Sequence, residues 1–284
     1  MRYESPTTTK AAVALLSGEK GQAYVLAGGT DLLVRLRMDT IEPDLMVDIK
    51  RIPAMSDVTK TASGFKIGAA VPGAALDKNK ALVKAWPGVV EAANLIGSDQ
   101  IQGRCTMVGN LCNASPAADS VPALIAAGAK AIIVGKKKRT VPVEKFVTGP
   151  GQTCLEKGEI VEAITLPVPA RNSGDAYLRF TPRTEMDIAV VGVGISLTLK
   201  RGVIDSARVS LGAVAPTPVL VKAAAKAITG TKLDDAALDA LSAACSAACN
   251  PIDDKRGTIE YRERVVGVLA KRAAKIAYER AGGK

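Results

Sequence analysis

Tyr24-Val25-Leu26-Ala27-Gly28-Gly29-Thr30-Asp31-Leu32-Leu33 is the stretch on which the reading of the chain turns. The apolar run from Tyr24 to Ala27 reads as a buried strand. Gly28 and Gly29 follow, with no side chain to block an approaching ligand. Thr30 or Asp31 then stands where it can cap a helix running through Leu32, Leu33, Leu36 and Met38. A strand, a bare glycine turn and a helix N-terminus make an anion site, because free N–H groups and the positive helix end face one gap. An ordinary tight connection has the same pattern, so the motif needs support from elsewhere in the chain.

Composition narrows the choice. The 284 residues are 48% hydrophobic and include 26 Gly and 15 Pro, enough for two domains or one large domain with an appendage. No apolar run reaches the length of a membrane span. Met1-Arg2-Tyr3-Glu4-Ser5-Pro6 carries no signal-peptide core, so a cytoplasmic location is expected. The chain has no histidine, which excludes a His-ligated metal and a His general base. Cys105, Cys112, Cys154, Cys245 and Cys249 include no CxxC pair. Cys245 and Cys249, four apart on an expected helix, supply at most half a metal site, and all five read as free thiols.

The net charge of +10 raises the question of nucleic acid. Aromatic residues make up only 3% of the chain, which leaves few platforms for base stacking. The basic residues are dispersed apart from Lys136-Lys137-Lys138-Arg139, which reads as a solvated hairpin tip between two apolar runs. A basic surface facing an acidic partner subunit or an anionic cofactor is the competing reading.

Taken in order, Thr7 or Thr8 caps a helix through Ala11, Val13, Leu15 and Leu16. Leu45 to Ile49 is a second strand, so residues 1 to about 55 form a small α/β lobe with a parallel strand–helix–strand unit. Asp57–Thr61 and Phe65–Ala69 flank a Ser63-Gly64 turn and read as a hairpin. Residues 74 to 97 have helical spacing broken at Pro87-Gly88, with Trp86 as a core anchor. Lys130 to Val143 is a hairpin, Glu159 to Leu166 is a strand, and Pro167, Pro169 and Gly174 place a boundary near residue 170. Beyond it, Ala176–Phe180, Ile188–Leu199 and Val203–Val214 are three strands, and residues 219 to 282 are helical. Gly192-Val193-Gly194 continues into a strand and is therefore no dinucleotide fingerprint, which requires a helix.

Residues 98 to 120 form a long run of small and polar residues in an apolar protein, which reads as a binding loop. Thr106, Ser115, the Asn110 amide and the backbone at Gly109 suit phosphate oxygens. Asp119 suits sugar hydroxyls, because a carboxylate accepts two hydrogen bonds at once. Asp119-Ser120 also reads as the cap of a helix over Val121 to Ala127.

Ala27-Gly28-Gly29-Thr30-Asp31-Leu32, Thr106-Met107-Val108-Gly109-Asn110 and Ala114-Ser115-Pro116-Ala117-Ala118-Asp119 together resemble the FAD-binding medium subunit of molybdenum hydroxylases. That group includes carbon monoxide dehydrogenase and xanthine dehydrogenase. Tyr177-Leu178-Arg179 to Asp187-Ile188-Ala189 and the helix from Glu260 to Ala273 resemble its C-terminal domain, so the likeness spans the chain. The resemblance implies an α+β fold. A two-lobed FAD-binding domain of the vanillyl-alcohol-oxidase-like type would span residues 1–170, with lobes of about 1–55 and 56–170. A C-terminal α+β domain with a three-stranded antiparallel sheet would span 171–284.

The same resemblance implies that Leu26, Ala27, Gly28, Gly29, Thr30, Asp31 and Leu32 hold FAD together with Thr106, Gly109, Asn110 and Ser115. Asp119 would bind the sugar part, Ile160 or Val161 would lie beside the cofactor, and Arg179 would stand near the flavin ring, with Arg183 as a second candidate. It implies a large partner carrying a molybdopterin cofactor and a small partner with two [2Fe–2S] clusters, in a dimer of heterotrimers. Electrons would pass from the clusters through FAD to a terminal acceptor. Two departures stand out: Val108 precedes Gly109 where two glycines are usual, and Gly103 replaces a common Asn. The cysteines provide no site for the extra iron–sulfur cluster of the benzoyl-CoA reductase branch. A stand-alone flavin oxidase and a basic nucleic-acid-binding scaffold are the rival classes. The first lacks a polar cluster built on His or Tyr, and the second lacks aromatic platforms.

Overall fold

The computed structural model describes residues 1–184 and 186–283. The chain opens with β1 (Arg2–Glu4), α1 (Thr9–Gly18), β2 (Ala23–Leu26), α2 (Leu32–Arg37) and β3 (Leu45–Asp48). Thr8 caps α1 by accepting from the Ala11 N–H at 3.2 Å. β1 and β2 both pair in parallel with β3, in the order β1-β3-β2. The expected parallel unit is present, and β1 extends it on the far side.

Two expectations need correction. β2 is an edge strand with Val25 37% exposed; the buried strand is β3, covered by a neighbour on each side. The helix after the glycine turn ends at Arg37 and buries none of its residues, leaving Leu33, Val34 and Met38 exposed.

The second lobe contains β4 (Val58–Thr61), β5 (Gly64–Gly68), α3 (Gly73–Lys78), α4 (Lys80–Ala85), α5 (Pro87–Asn94), α6 (Asp99–Gln102), α7 (Met107–Cys112), α8 (Ser120–Ala126), β6 (Lys130–Val134), β7 (Lys138–Pro142), β8 (Val147–Gly149), β9 (Gln152–Thr153) and β10 (Ile160–Pro167). Its antiparallel sheet runs β4-β5-β10-β6-β7. Trp86 is buried between α4 and α5, and its indole N–H donates to the Pro167 carbonyl at 3.0 Å.

The stretch read as one long loop, residues 98–120, instead holds α6, α7 and the start of α8. These are helices of one or two turns, stabilised by packing rather than by propensity, so their composition does not announce them. Val108 sits in α7 with its side chain buried, which accommodates the missing glycine. The basic run is also corrected. Lys138 and Arg139 are strand residues paired with Glu162 at 3.2 Å and Glu159 at 2.6 Å, leaving only Gly135 to Lys137 at the tip.

The rest of the chain comprises β11 (Ser173–Phe180), β12 (Val191–Lys200), β13 (Val203–Gly212), β14 (Val219–Leu220), α9 (Lys222–Ile228), α10 (Asp235–Ala247) and α11 (Ile259–Arg280). The antiparallel sheet β11-β12-β13-β14 has a two-residue fourth strand beyond the three expected. Arg201 (φ 54°) and Gly202 (φ 77°) make a turn of consecutive left-handed residues, the geometry that joins twisted antiparallel strands. Gly194 lies within β12, where a Cβ would come 2.6 Å from the Pro122 carbonyl of α8. Its glycine serves this close approach and not a phosphate.

Every residue of α8 is buried. The helix packs against β12 and β13 on one side and belongs to the first core on the other. That core runs from Ala12 to Leu166 and takes in Tyr177; a second runs from Ala176 to Ala281. The five cysteines are free, and no group of metal-ligating side chains forms among the described residues. None of their helices is long and apolar enough to cross a membrane.

Candidate functional site

A cleft of about 820 Å³ opens between the β2–α2 turn, the start of α7, the first residues of β10 and the segment 155–159. This volume suits a sizeable organic ligand, since such pockets run from roughly 300 to 1,000 Å³. The glycines of the turn are explained first by packing. A Cβ on Gly28 would lie 1.9 Å from the Arg104 carbonyl, so only glycine lets the α6–α7 connection close against the turn. Gly29 has φ +75°, the left-handed region that side chains disfavour.

The turn that results is rich in free donors. None of the hydrogen bonds among the described residues uses the N–H groups of Gly28, Gly29, Thr30 or Asp31. The N–H group of Val108, in the first turn of α7, is likewise unused. Consecutive free amides beside a helix N-terminus form a concavity that attracts anions.

The cleft gathers Ala27, Gly28, Gly29, Thr30, Asp31, Leu32, Thr106, Gly109, Asn110 and Ile160, with Val161 beside them. Leu26 is buried beneath the turn, where its side chain backs Gly29. Ser115, Asp119 and Arg179 do not line it. Several polar groups in the cleft are committed to the chain itself. The Thr106 hydroxyl accepts from the Gly109 N–H at 2.9 Å and caps α7. Asn110 Oδ1 accepts from the Ser120 N–H at 3.1 Å and the Ser120 hydroxyl at 2.7 Å, tying α7 to α8. Ser115 Oγ accepts from the Ala117 N–H at 3.2 Å.

Asp119 stands one residue from Ser120, beyond the lining. It occupies the N-cap position of α8 without accepting from the helix, which corrects the capping reading. It pairs with Arg179 at 3.0 Å, and the Tyr177 hydroxyl donates to it at 3.5 Å. Burial pushes its carboxyl up to about 6 against the pull of Arg179. Arg179 also donates to the Leu95 carbonyl at 2.8 Å, next to Ile96, which lines the cleft. Arg183 lies exposed and donates to the Met186 carbonyl, away from the pair.

Arg35, Ile96 and Glu159 also line the cleft and were absent from the sequence-based set. Arg35 falls one helical turn after Asp31, a spacing that could have revealed it, and it lies 5.9 Å over the Tyr24 ring. Glu159 is paired with Arg139, whose hydrogen bonds hold the carboxyl below its usual range. Burial pushes the cleft thiols Cys105 and Cys112 up to about 11 and about 12, so they remain protonated at neutral pH and are poor nucleophiles. The cleft is thus equipped to hold an anionic ligand and, among the described residues, presents no nucleophile–base pair.

Known families match this architecture. A profile described as the FAD binding domain in molybdopterin dehydrogenase covers residues 1–169, and one described as the CO dehydrogenase flavoprotein C-terminal domain covers residues 176–277. The carbon monoxide dehydrogenase medium chain of Hydrogenophaga pseudoflava is 30% identical over 98% of this chain and 97% of its own. The putative xanthine dehydrogenase FAD-binding subunit of Escherichia coli is 30% identical over 99% and 97%. The solved structure of the Hydrogenophaga pseudoflava carbon monoxide dehydrogenase superposes with a TM-score of 0.95 at 31% identity, covering 99% of this chain and 98% of that one. With both profiles in order along the sequence and relatives matched end to end, the chain belongs to the family of FAD-binding medium subunits of molybdenum hydroxylases.

Proposed function

We propose that the chain is the electron-transfer subunit of a molybdenum hydroxylase complex. FAD lies in the cleft, receives electrons from [2Fe–2S] clusters of a small partner subunit and passes them to a terminal acceptor. A large partner with a molybdopterin cofactor oxidises the substrate, the assembly is a dimer of heterotrimers, and the complex is cytoplasmic. The division into residues 1–170 and 171–284 is part of this reading, supported by the two separate cores.

The observation that carries the proposal is the run of free amides from Gly28 to Asp31 at one wall of an 820 Å³ cleft. A pyrophosphate is the dianionic centre such donors suit, and a cleft of about 820 Å³ gives room for groups on either side. Gly28, Gly29, Thr30 and Asp31 hold the phosphates from one side, and the start of α7 up to Gly109 and Asn110 holds them from the other. Leu26 supports the turn from below, Leu32 and Ile160 supply apolar wall, and Ser115 shapes the loop that leads to α8. Asp119, the sequence-based candidate for the sugar hydroxyls, lies outside the cleft lining and is held by Arg179 and the Tyr177 hydroxyl, so in this reading it braces the wall behind the sugar. Arg179, committed to Asp119 and the Leu95 carbonyl, orients that carboxylate.

Bound FAD supplies a carrier that takes electrons singly and releases them in pairs. The chain's own work is to bind, orient and shield it, which requires no histidine and no general base. An absorption spectrum of the purified chain tests the reading. Yellow protein with FAD near one per chain, and co-purification with the two partners, is the expected result. A colourless chain that takes up no added FAD, alone or with its partners, refutes it.

A further inference from the structure

Behind the β2–α2 turn runs a series of contacts outside the cleft lining. Lys50, two residues past β3, donates from Nζ to the Ala27 carbonyl at 3.1 Å. The same ammonium lies 2.8 Å from Asp48 Oδ1, which also accepts from the Lys50 N–H at 2.9 Å. Asp48 is 6% exposed, and its Oδ2 accepts from the Tyr3 hydroxyl of β1. Burial pushes the Asp48 carboxyl up, but the hydrogen bonds from Lys50 and Tyr3 outweigh it and hold the group below its usual range. Residues on or just beyond all three strands of the parallel sheet therefore converge on one carbonyl.

That carbonyl is the one that matters for the turn. The peptide unit is planar and trans, so the C=O of Ala27 and the N–H of Gly28 point in opposite directions. An ammonium that draws the Ala27 oxygen behind the turn sends the Gly28 N–H the other way. Gly28 is the first of the free amides that line the cleft. Lys50 is itself neutralised by Asp48, so its effect is one of orientation more than of added charge.

We propose that Lys50 is a positioning residue for the anion end of the cleft: it fixes the Ala27–Gly28 peptide plane so that the Gly28 N–H meets a phosphate, and Asp48 and Tyr3 hold Lys50 in place. The identity of the phosphate-bearing ligand rests on the FAD reading above; the orientation of the peptide does not.

The test is equilibrium binding of FAD, riboflavin and inorganic pyrophosphate to the full chain after flavin removal, with thermal unfolding of the same samples. Lys50→Met should weaken FAD and pyrophosphate about 10- to 100-fold, the range for losing a charged hydrogen bond. Riboflavin, which has no phosphate, should keep its affinity. Asp48→Asn combined with Lys50→Met leaves no stranded carboxylate, and it should show the same selective loss without a lower unfolding temperature. Tyr3→Phe should give a smaller loss of the same kind, and Lys50→Arg should restore part of it. Wild-type affinity for FAD and pyrophosphate in the double variant overturns the proposal. So does an equal loss of FAD and riboflavin, which marks a general defect. If the wild-type chain binds pyrophosphate but no FAD, the flavin reading falls, and the pyrophosphate series still decides the role of Lys50.

Discussion

Arg179 of β11 and Asp119 at the start of α8 form an ion pair at 3.0 Å with side chains only 6% and 12% exposed, joining the C-terminal sheet to the second lobe. The same guanidinium holds the Leu95 carbonyl at the end of α5. One side chain thus fixes two elements of the second lobe. Removing it strands a buried carboxylate, which typically costs about 3–5 kcal/mol. Arg179→Met should lower the denaturant midpoint accordingly. Adding Asp119→Asn should recover much of the loss, because the uncompensated charge disappears with it. Equal stability of Arg179→Met and wild type contradicts this account.

Asp175 gives the chain a pH response. It is 4% exposed; Oδ2 accepts from the Val89 N–H at 3.1 Å, and Oδ1 has no partner among the described residues. Burial raises its carboxyl to about 7. In the unfolded chain the group titrates at about 3.9. Between those values the folded state holds the extra proton, so stability falls as pH rises from about 4 to about 7 and is flat above. Asp119, at about 6, contributes with the same sign. The full swing for Asp175 is on the order of 4 kcal/mol at about 1.4 kcal/mol per unit. Denaturant midpoints of wild type should drop between pH 5 and pH 8, and those of Asp175→Asn should drop less.

Gly28 and Gly29 are both glycine for different reasons, and alanine should separate them. At Gly28 the new Cβ meets the backbone carbonyl of Arg104, which cannot move without shifting the α6–α7 connection. At Gly29 it meets the flexible ends of Leu26 and Leu33, but at φ +75°. Gly29→Ala should cost about 1–2 kcal/mol, the penalty for a left-handed residue with a side chain. Gly28→Ala should cost more and should also deplete bound flavin, because it displaces a wall of the cleft. Unfolding curves and flavin content of the two variants check the order.

The strands and long helices were legible because their period is written in the sequence. β3, β5, β10 and α11 fall within a few residues of their expected places. What escaped depends on partners far along the chain. The short β1 exists because Leu45 to Val47 offer it a parallel edge, which nothing in Arg2-Tyr3-Glu4 reveals. α2 looks amphipathic in sequence, yet its apolar residues remain exposed. The helix pair α6 and α7 is hidden by composition. In the candidate site, the glycine turn was readable by type, but the reason for Gly28 lies at Arg104, 76 positions away. By residue type Asp119 suits a ligand, but its ion pair with Arg179 depends on how the C-terminal sheet docks, which spacing does not encode.

Thr106 offers a final discrimination between packing and ligand contact. By residue type it suits a phosphate, but its hydroxyl accepts from the Gly109 N–H and so caps α7. Losing such a cap costs typically about 1 kcal/mol. Thr106→Val should therefore lower the stability of the flavin-free chain by about that amount, while Thr106→Ser, which keeps the acceptor, should not. A side chain acting only on the ligand gives the opposite pattern: Thr106→Val leaves the flavin-free chain untouched, and the loss appears only when FAD is added. Unfolding measured with and without FAD, on both variants, distinguishes the two. The capping geometry predicts a loss already present without the cofactor and a further loss with it, because the start of α7 is where the free Val108 amide borders the cleft.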